Sequence, residues 1–363
     1  MADIVSKLCR QQTLFGSPTP ELDRTLVPRA EGAALAAAIA ESLLPQKPEV
    51  RPFPKIGHLL LVDGRAVLDS CWHASNGHLA DTVGSFCAVV NLAIERQSPT
   101  HIGVAFDHPE GSQPRKSRYP GYKANRVEKQ LDHLAAIDLA MAAARGFGWT
   151  VIYTPSGEAD DVLATCAKRV EESTPVTILS QDKDLLALCV HDDIGLLWRR
   201  KGEWHEWRGQ QAAQQRLGVD SHQVADLLAL VGDASDNVTG ATGIGEKTAA
   251  ALLARYGSLD GIAGAMARGV LDIKGAPRVA TLLQQGWAAV KLARWAVALC
   301  TDLADEQIPQ SIWEVDERFR WSSESVKLDQ LDRLGSRHSI KYLTNIVSFQ
   351  RLLERDRNAP PRF

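Results

Sequence analysis

The chain has no cysteine pair at CxxC spacing. Its six cysteines, Cys9, Cys71, Cys87, Cys166, Cys189 and Cys300, are scattered. That pattern excludes a disulfide framework and a structural zinc site, and fits a reducing, cytoplasmic setting. No apolar run approaches the roughly 18 residues of a membrane span, and the N-terminus lacks a signal-peptide core, so a soluble protein is expected. Internal repeats, long low-complexity runs and histidine clusters are also missing. Charge of one sign is not in excess: the formal net charge is −3, which by itself argues against a polyanionic partner.

What is present is a core-forming chain of 363 residues, 45% of them hydrophobic, enough for one large core or two smaller ones. Residues 1–55 contain SPTPE, an Ala-rich stretch from Ala30 to Leu44 and the proline-punctuated PQKPEVRPFP. They are expected to form a mobile tail with one helix and a linker. From His58 the pattern changes. HLLLVDG, HIGVAFD and VTILSQD are short β-favouring runs that each reach an aspartate, with helical patterns between them. Strands alternating with helices predict an α/β fold with a mostly parallel central sheet flanked by helices. Ligands bind such sheets beyond the strands' carboxyl ends, where Asp63, Asp107 and Asp182 fall. The expected organisation is a core over 56–225, a helical, glycine-punctuated region over 226–305, and a C-terminal extension over 306–363 to which no chemistry is assigned.

More carboxylates join these three. Glu158, Asp160 and Asp161 crowd the start of a helix, Asp184 follows Asp182 in SQDKDLL, and Asp233 and Asp236 lie in GDASDN. The bland reading of the first group is an N-terminal turn capped by Ser156 with acids favoured by the helix dipole. On helical geometry Glu158 and Asp161 share a face, and Asp160 contributes from the rim. Acids converging without counter-charge would repel and raise one another's pKa. Divalent cations relieve that repulsion, and carboxylate oxygen suits Mg²⁺ or Mn²⁺ rather than zinc. With these acids set aside in a metal pocket, the remaining surface turns positive, as a phosphodiester substrate requires.

LLLVDG, VAFD, YPGYKANR, GEADDVLATCAKR, ILSQDKDLLAL and LVGDASDNVTGATGIGEKTAAALLARYGSL occur in that order. In order and approximate spacing they resemble the bacterial and bacteriophage 5′-nucleases, the flap endonuclease family that includes the N-terminal domain of DNA polymerase I. The resemblance covers roughly residues 56–305. It implies a PIN-like nuclease fold with a helical arch over 109–133 and a helix–turn–helix clamp on duplex DNA. It implies a first metal group of Asp63, Asp107, Glu158, Asp160 and Asp161 and a second of Asp182, Asp184, Asp233 and Asp236, holding two Mg²⁺ or Mn²⁺ ions. Lys123 and Arg126 are implied beside the scissile phosphate. Tyr122 is implied as a stacking ring and Arg118 as part of the basic, DNA-facing segment. Gly243, Gly245 and Lys247 are implied on the strand backbone, with K⁺ in the clamp. Where relatives commonly carry an arginine seven residues after the first aspartate, this chain has Ser70.

The implied activity is a 5′–3′ exonuclease and flap endonuclease that acts as a monomer in DNA replication and repair. Its substrates would be branched or nicked DNA, with RNA–DNA hybrids included. The alternatives are a PIN-like single-strand ribonuclease and a non-catalytic junction-binding protein. Gln11, Leu14 and Phe15 in RQQTLFG resemble the peptide that docks on the bacterial sliding clamp, which implies that partner for the tail.

Overall fold

The computed structural model describes residues 56–126, 131–170, 174–357. The tail, with the helix expected in the Ala-rich stretch Ala30–Leu44 and the clamp-like peptide of Gln11, Leu14 and Phe15, lies outside the described residues.

A six-stranded sheet runs in the order β3-β2-β1-β4-β5-β6. Its strands are β1 (Leu59–Asp63), β2 (His101–Ala105), β3 (Thr150–Ile152), β4 (Val176–Leu179), β5 (Ile194–Arg200) and β6 (Glu203–Arg208). The pairings from β3 through β5 are all parallel, and β6 closes the edge antiparallel to β5. The β1 strand is buried at every residue, as expected of a parallel strand covered on both faces. Leu59 and Leu61 pack into one apolar cluster, and Leu60 and Val62 into the other, so the strand's period of two divides one run between two cores.

Strand order reverses between β1 and β4, because β2 and β3 lie on one side of β1 and β4 through β6 on the other. The crevice beyond the carboxyl ends of these two strands is the topological switch point, where open α/β sheets bind ligands. Asp63 ends β1, and Asp182 follows β4 by three residues.

After β6 come helices Val224–Val231, Glu246–Tyr256, Leu259–Ala267 and Ala276–Val297. Leu227, Leu252, Ile262, Leu283 and Val290 join the same cluster as Leu59 and Leu61, so this region shares the core of the sheet. The C-terminal extension does the same. Phe319 is fully buried, and a Cβ on Gly103 of β2 would stand 2.8 Å from its ring. Trp321 Nε1 donates to Phe147 O at 2.9 Å, and Leu331, Ile340, Leu343 and Val347 fill the second cluster.

Candidate metal and nucleic-acid site

The aspartate that ends β1 is 3% exposed. One of its oxygens accepts from Ala66 N at 2.8 Å and caps the helix Gly64–Ala74, and the other accepts from Ser180 Oγ at 2.7 Å. Asp107, two residues past β2, accepts from Ala159 N at 2.9 Å. The helix Ala159–Val170 is thus capped by a residue from another strand, and not by Ser156, whose hydroxyl donates to Asp305 at 2.5 Å. Asp182 caps the short 3₁₀ turn Lys183–Leu188 by accepting from Asp184 N at 2.9 Å. Capping, local at Asp63 and Asp182 and between elements at Asp107, explains why those three positions suit an aspartate. It does not explain why they face one another.

Asp63, Asp107, Asp160 and Asp182 line one hollow of about 450 Å³, with Arg65, Asp69, Lys123, Arg126 and Gln181 around them. Burial, and then the charges of Asp107 and Asp182, push Asp63 up to about 7 against its two hydrogen bonds. Asp160 is raised well above the usual carboxylate range by burial and by Asp182, Asp63 and Asp107. Asp182 is raised chiefly by burial, with Asp236 and Asp233 adding to it. Asp184 rises to about 7 through burial and the charges of Asp182 and Asp233. This mutual repulsion in a shared basin is what a divalent cation would relieve.

The donor set is all carboxylate, which fits a hard cation. Among the described residues, no three histidine, cysteine or acidic side chains stand at the spacing that grips an ion. The residues suited to hold ions are Asp63, Asp107, Asp160 and Asp182, with Asp184 and Asp233 adjoining.

The acidic helix start departs from its expected geometry. Asp160, expected at the rim, is the member that lines the hollow. Asp161 is turned inward onto Arg115, whose guanidinium donates to its two oxygens at 2.5 and 2.7 Å. Glu158 is likewise engaged, by Arg115 at 3.0 Å, by the Tyr122 hydroxyl at 2.7 Å and by Lys123 Nζ. The helix begins at Ala159, so Glu158 precedes it and the expected shared face is not formed. Neither Glu158 nor Asp161 is aimed at the hollow.

The basic segment, expected to face DNA, is bound tightly to the body. Arg115 additionally donates to Ala296 O at 2.9 Å and Ala298 O at 2.8 Å, tying the segment to the end of a distant helix. Tyr122, expected to stack on a base, is 3% exposed, and its hydroxyl also lies 2.8 Å from Asp236. Its ring has no free face because residues 121–125 are stitched to the 233–239 loop. Lys123 N donates to Asp236 O at 2.8 Å, Asn237 Nδ2 to Gly121 O at 2.7 Å, and Asn125 Nδ2 to Ala234 O at 2.9 Å. The Arg118 guanidinium lies 4.6 Å from the centre of the Trp295 ring. Gly111 permits the close approach, since a Cβ there would meet Gly157 O at 2.3 Å.

Lys123 and Arg126 do reach the hollow. Lys123 is opposed by burial, yet Glu158, Asp236 and Asp107 hold its pKa above the ordinary value. Arg126 Nη2 donates to Asp236 at 2.6 Å and keeps 47% of its side chain exposed. Asp236 is thus a partner of cations and of Tyr122. Asp233 spends one oxygen on Ser235, accepting from its amide at 2.9 Å and its hydroxyl at 2.6 Å.

Beyond this loop, Ile244 is buried while Gly243, Gly245 and Lys247 are exposed on the turn before Glu246–Tyr256. Gly243 has φ +88 and Gly245 caps the helix. The first amides of that helix are free of intrahelical acceptors and face an open approach, a geometry suited to an anion.

Sequence reasoning missed Arg65 and Asp69 on the hollow wall. Arg65 Nε pairs with Asp69 at 2.7 Å, and His133 Nε2 lies 2.8 Å from the same carboxylate. The available signal was that Arg65 follows the strand-terminal Asp63 by two positions, with Asp69 one helical turn further on.

Two family models match the chain. The 5′-3′ exonuclease N-terminal resolvase-like domain matches residues 58–218, and the 5′-3′ exonuclease C-terminal SAM fold matches residues 219–317. A 5′-3′ exonuclease of Mycobacterium tuberculosis is 34% identical over 271 residues, covering 67% of this chain and 84% of that protein. DNA polymerase I of the same organism is 34% identical over 278 residues, 72% of this chain, which spans only 30% of the polymerase's length. Among solved structures, T5 5′-exonuclease with bound divalent metal ions (zinc) has a TM-score of 0.58 at 18% identity, covering 80% of this chain and 98% of that one. The catalytic core of Rad2 in complex with a DNA substrate has a TM-score of 0.52 at 14% identity, covering 78% and 88%. These two likenesses concern the fold. The described residues contain no helix long and apolar enough to cross a membrane. On the family matches and the extent of the exonuclease similarity, the chain belongs to the 5′-3′ exonuclease family.

Proposed function

We propose that this chain is a Mg²⁺- or Mn²⁺-dependent 5′-nuclease, a 5′–3′ exonuclease and flap endonuclease that hydrolyses DNA near junctions of duplex and 5′ single strand. One observation carries the reading: Asp63, Asp107, Asp160 and Asp182, from separate parts of the chain, share one hollow at the switch point. When bound there, two divalent ions would supply a nucleophilic water and stabilise the leaving oxygen.

The chain's own residues do the rest. Asp63, Asp107, Asp160 and Asp182 would hold the ions, with Asp184 and Asp233 as adjoining carboxylates. Lys123 and Arg126 offer positive charge on the hollow's wall to a phosphate whose negative charge grows in the transition state. Glu158 and Asp236 position those two cations, and Tyr122 braces both carboxylates. The turn at Gly243, Gly245 and Lys247 holds duplex backbone without reading sequence, with K⁺ as a further ligand of the turn. Branched and nicked DNA are the proposed substrates, RNA–DNA hybrid a further one, and replication and repair the setting. For the tail we retain docking of Gln11, Leu14 and Phe15 on a sliding clamp, which Leu14→Ala and Phe15→Ala would abolish in a calorimetric titration.

The test is cleavage of a 5′-flap duplex with and without Mg²⁺. Parent protein is expected to cut near the junction only with the metal. Asp160→Asn is expected to bind the flap and lose cleavage by about a thousandfold or more. Parent-like cleavage by that variant would overturn the assignment.

A further inference from the structure

A second hollow of about 360 Å³ adjoins the first, and Gln181 lines both. Its other polar walls are Ser70, Ser85 and three consecutive cations, Arg199, Arg200 and Lys201. The cations sit at the tip of the β5–β6 hairpin, whose two central residues, Lys201 and Gly202, have φ +50 and +86. That is a tight two-residue turn of the kind that matches strand twist, so the tip is held in place by the sheet.

None of the three cations forms an ion pair with a described residue. Glu203 pairs with Arg200 across the ladder, yet makes no salt bridge with it. Arg199 Nε is buried without a hydrogen-bond partner, and its guanidinium lies 5.9 Å from the Trp204 ring centre. Nearby, by contrast, Arg208 of β6 and Arg96 of the helix Leu79–Gln97 both pair with Glu206. Three clustered cations without acids, a buried donor without an acceptor, and hydroxyl and amide walls together describe an anion site.

We infer that the hollow walled by Ser70, Gln181, Arg199, Arg200 and Lys201 binds a phosphate of the nucleic-acid strand whose scissile bond lies in the neighbouring carboxylate hollow. The inference rests on the nuclease reading above. The shared Gln181 wall makes the two sites continuous, so one strand can run from the cations to the carboxylates. The ligand chemistry is a phosphate group, supplied either by the strand's internal backbone or by its 5′ terminus.

Arg200 and Lys201 are exposed, so the full-length double variant Arg200→Ala/Lys201→Ala is expected to fold, with a parent-like melting curve. On a 5′-flap duplex with Mg²⁺, its KM is expected to rise about five- to twentyfold with kcat within twofold of the parent. The salt dependence of binding is expected to become shallower by about one to two phosphate contacts. The control is Arg333→Ala/Arg337→Ala, which removes two exposed cations from the helix Leu328–His338 and is expected to leave KM and the salt slope unchanged. Flaps ending in 5′-phosphate and 5′-hydroxyl separate the sources: a KM effect confined to the phosphorylated flap assigns the terminal group, and an equal effect on both assigns the backbone. Parent-like KM and salt slope in the hairpin variant would overturn the inference while leaving the nuclease reading intact. An equal change in the control, or a loss of kcat alone, would also overturn it. A parent protein that neither binds nor cuts the flap would overturn the nuclease reading, and this inference with it.

Discussion

Asp63→Asn is expected to stabilise the metal-free protein while removing its response to divalent ions. Burial together with Asp107 and Asp182 lifts the Asp63 carboxyl from 3.8 to about 7. One pKa unit corresponds to 1.36 kcal/mol, so the ionised group opposes folding by up to about 4 kcal/mol at pH above 7. Asp160 and Asp182 share the same repulsion and relax by taking up protons, which leaves a net gain of roughly 1–3 kcal/mol. Asparagine keeps a carbonyl for Ala66 N–H, and its amide can donate to the Ser180 hydroxyl. For a chain of this size the melting temperature would rise by roughly 2–4 °C per kcal/mol.

The sign with pH is fixed. A carboxyl whose folded pKa lies above its unfolded value costs nothing below about pH 4 and its full amount above about pH 7. The gap between variant and parent should therefore close as pH falls from 7.5 to 4. Added Mg²⁺ should reverse the order by stabilising the parent alone. Thermal denaturation at pH 7.5 and 5, with EDTA and with Mg²⁺, reads all of this. A metal-free asparagine variant that melts below the parent, or an order that Mg²⁺ leaves unchanged, would refute the reasoning.

Arg115→Met would leave Asp161 buried without its bidentate partner and should cost about 3–5 kcal/mol in denaturant unfolding; an unchanged midpoint with weakened DNA binding would instead assign Arg115 to the DNA-facing surface. Phe319→Ala should cost about 3–5 kcal/mol, because the ring fills the space over Gly103; a loss under 1 kcal/mol would make the C-terminal extension an accessory to the core. Burial lowers the pKa of His101 against the opposing pull of Asp316. Its neutral form therefore supports the fold fully above about pH 6.5, and that support fades as pH falls toward the folded pKa. Relative to His101→Gln, the parent should lose stability between pH 6.5 and 5, and parallel profiles would contradict this.

The strand-end aspartates were legible because each follows a buried apolar run, and parallel sheets leave their ligand crevice at that end. The helix start misled: Glu158 precedes the helix that begins at Ala159, so it shares no helical face with Asp161, and Asp160 is the acid that lines the hollow. Tyr122 and Arg115 look in sequence like a solvated basic stretch. Their burial depends on Asp236 and Ala298, more than a hundred residues away, and no local pattern carries that information. Phe319 on Gly103 is hidden for the same reason. The β6 strand, EWHEWR, sets its two tryptophans three apart, so it lacks the period-two alternation of a half-buried strand and is polar enough to pass for a loop. Its turn, and the cations on it, emerge only when β5 is seen to end beside Ser70.

The most direct measurement is a crystal of the full chain grown with Mn²⁺ and recorded at the metal's absorption edge. Anomalous density among Asp63, Asp107, Asp160 and Asp182 is the expected result. Full occupancy elsewhere on the protein, with this basin holding only water, would contradict a metal-dependent nuclease site here.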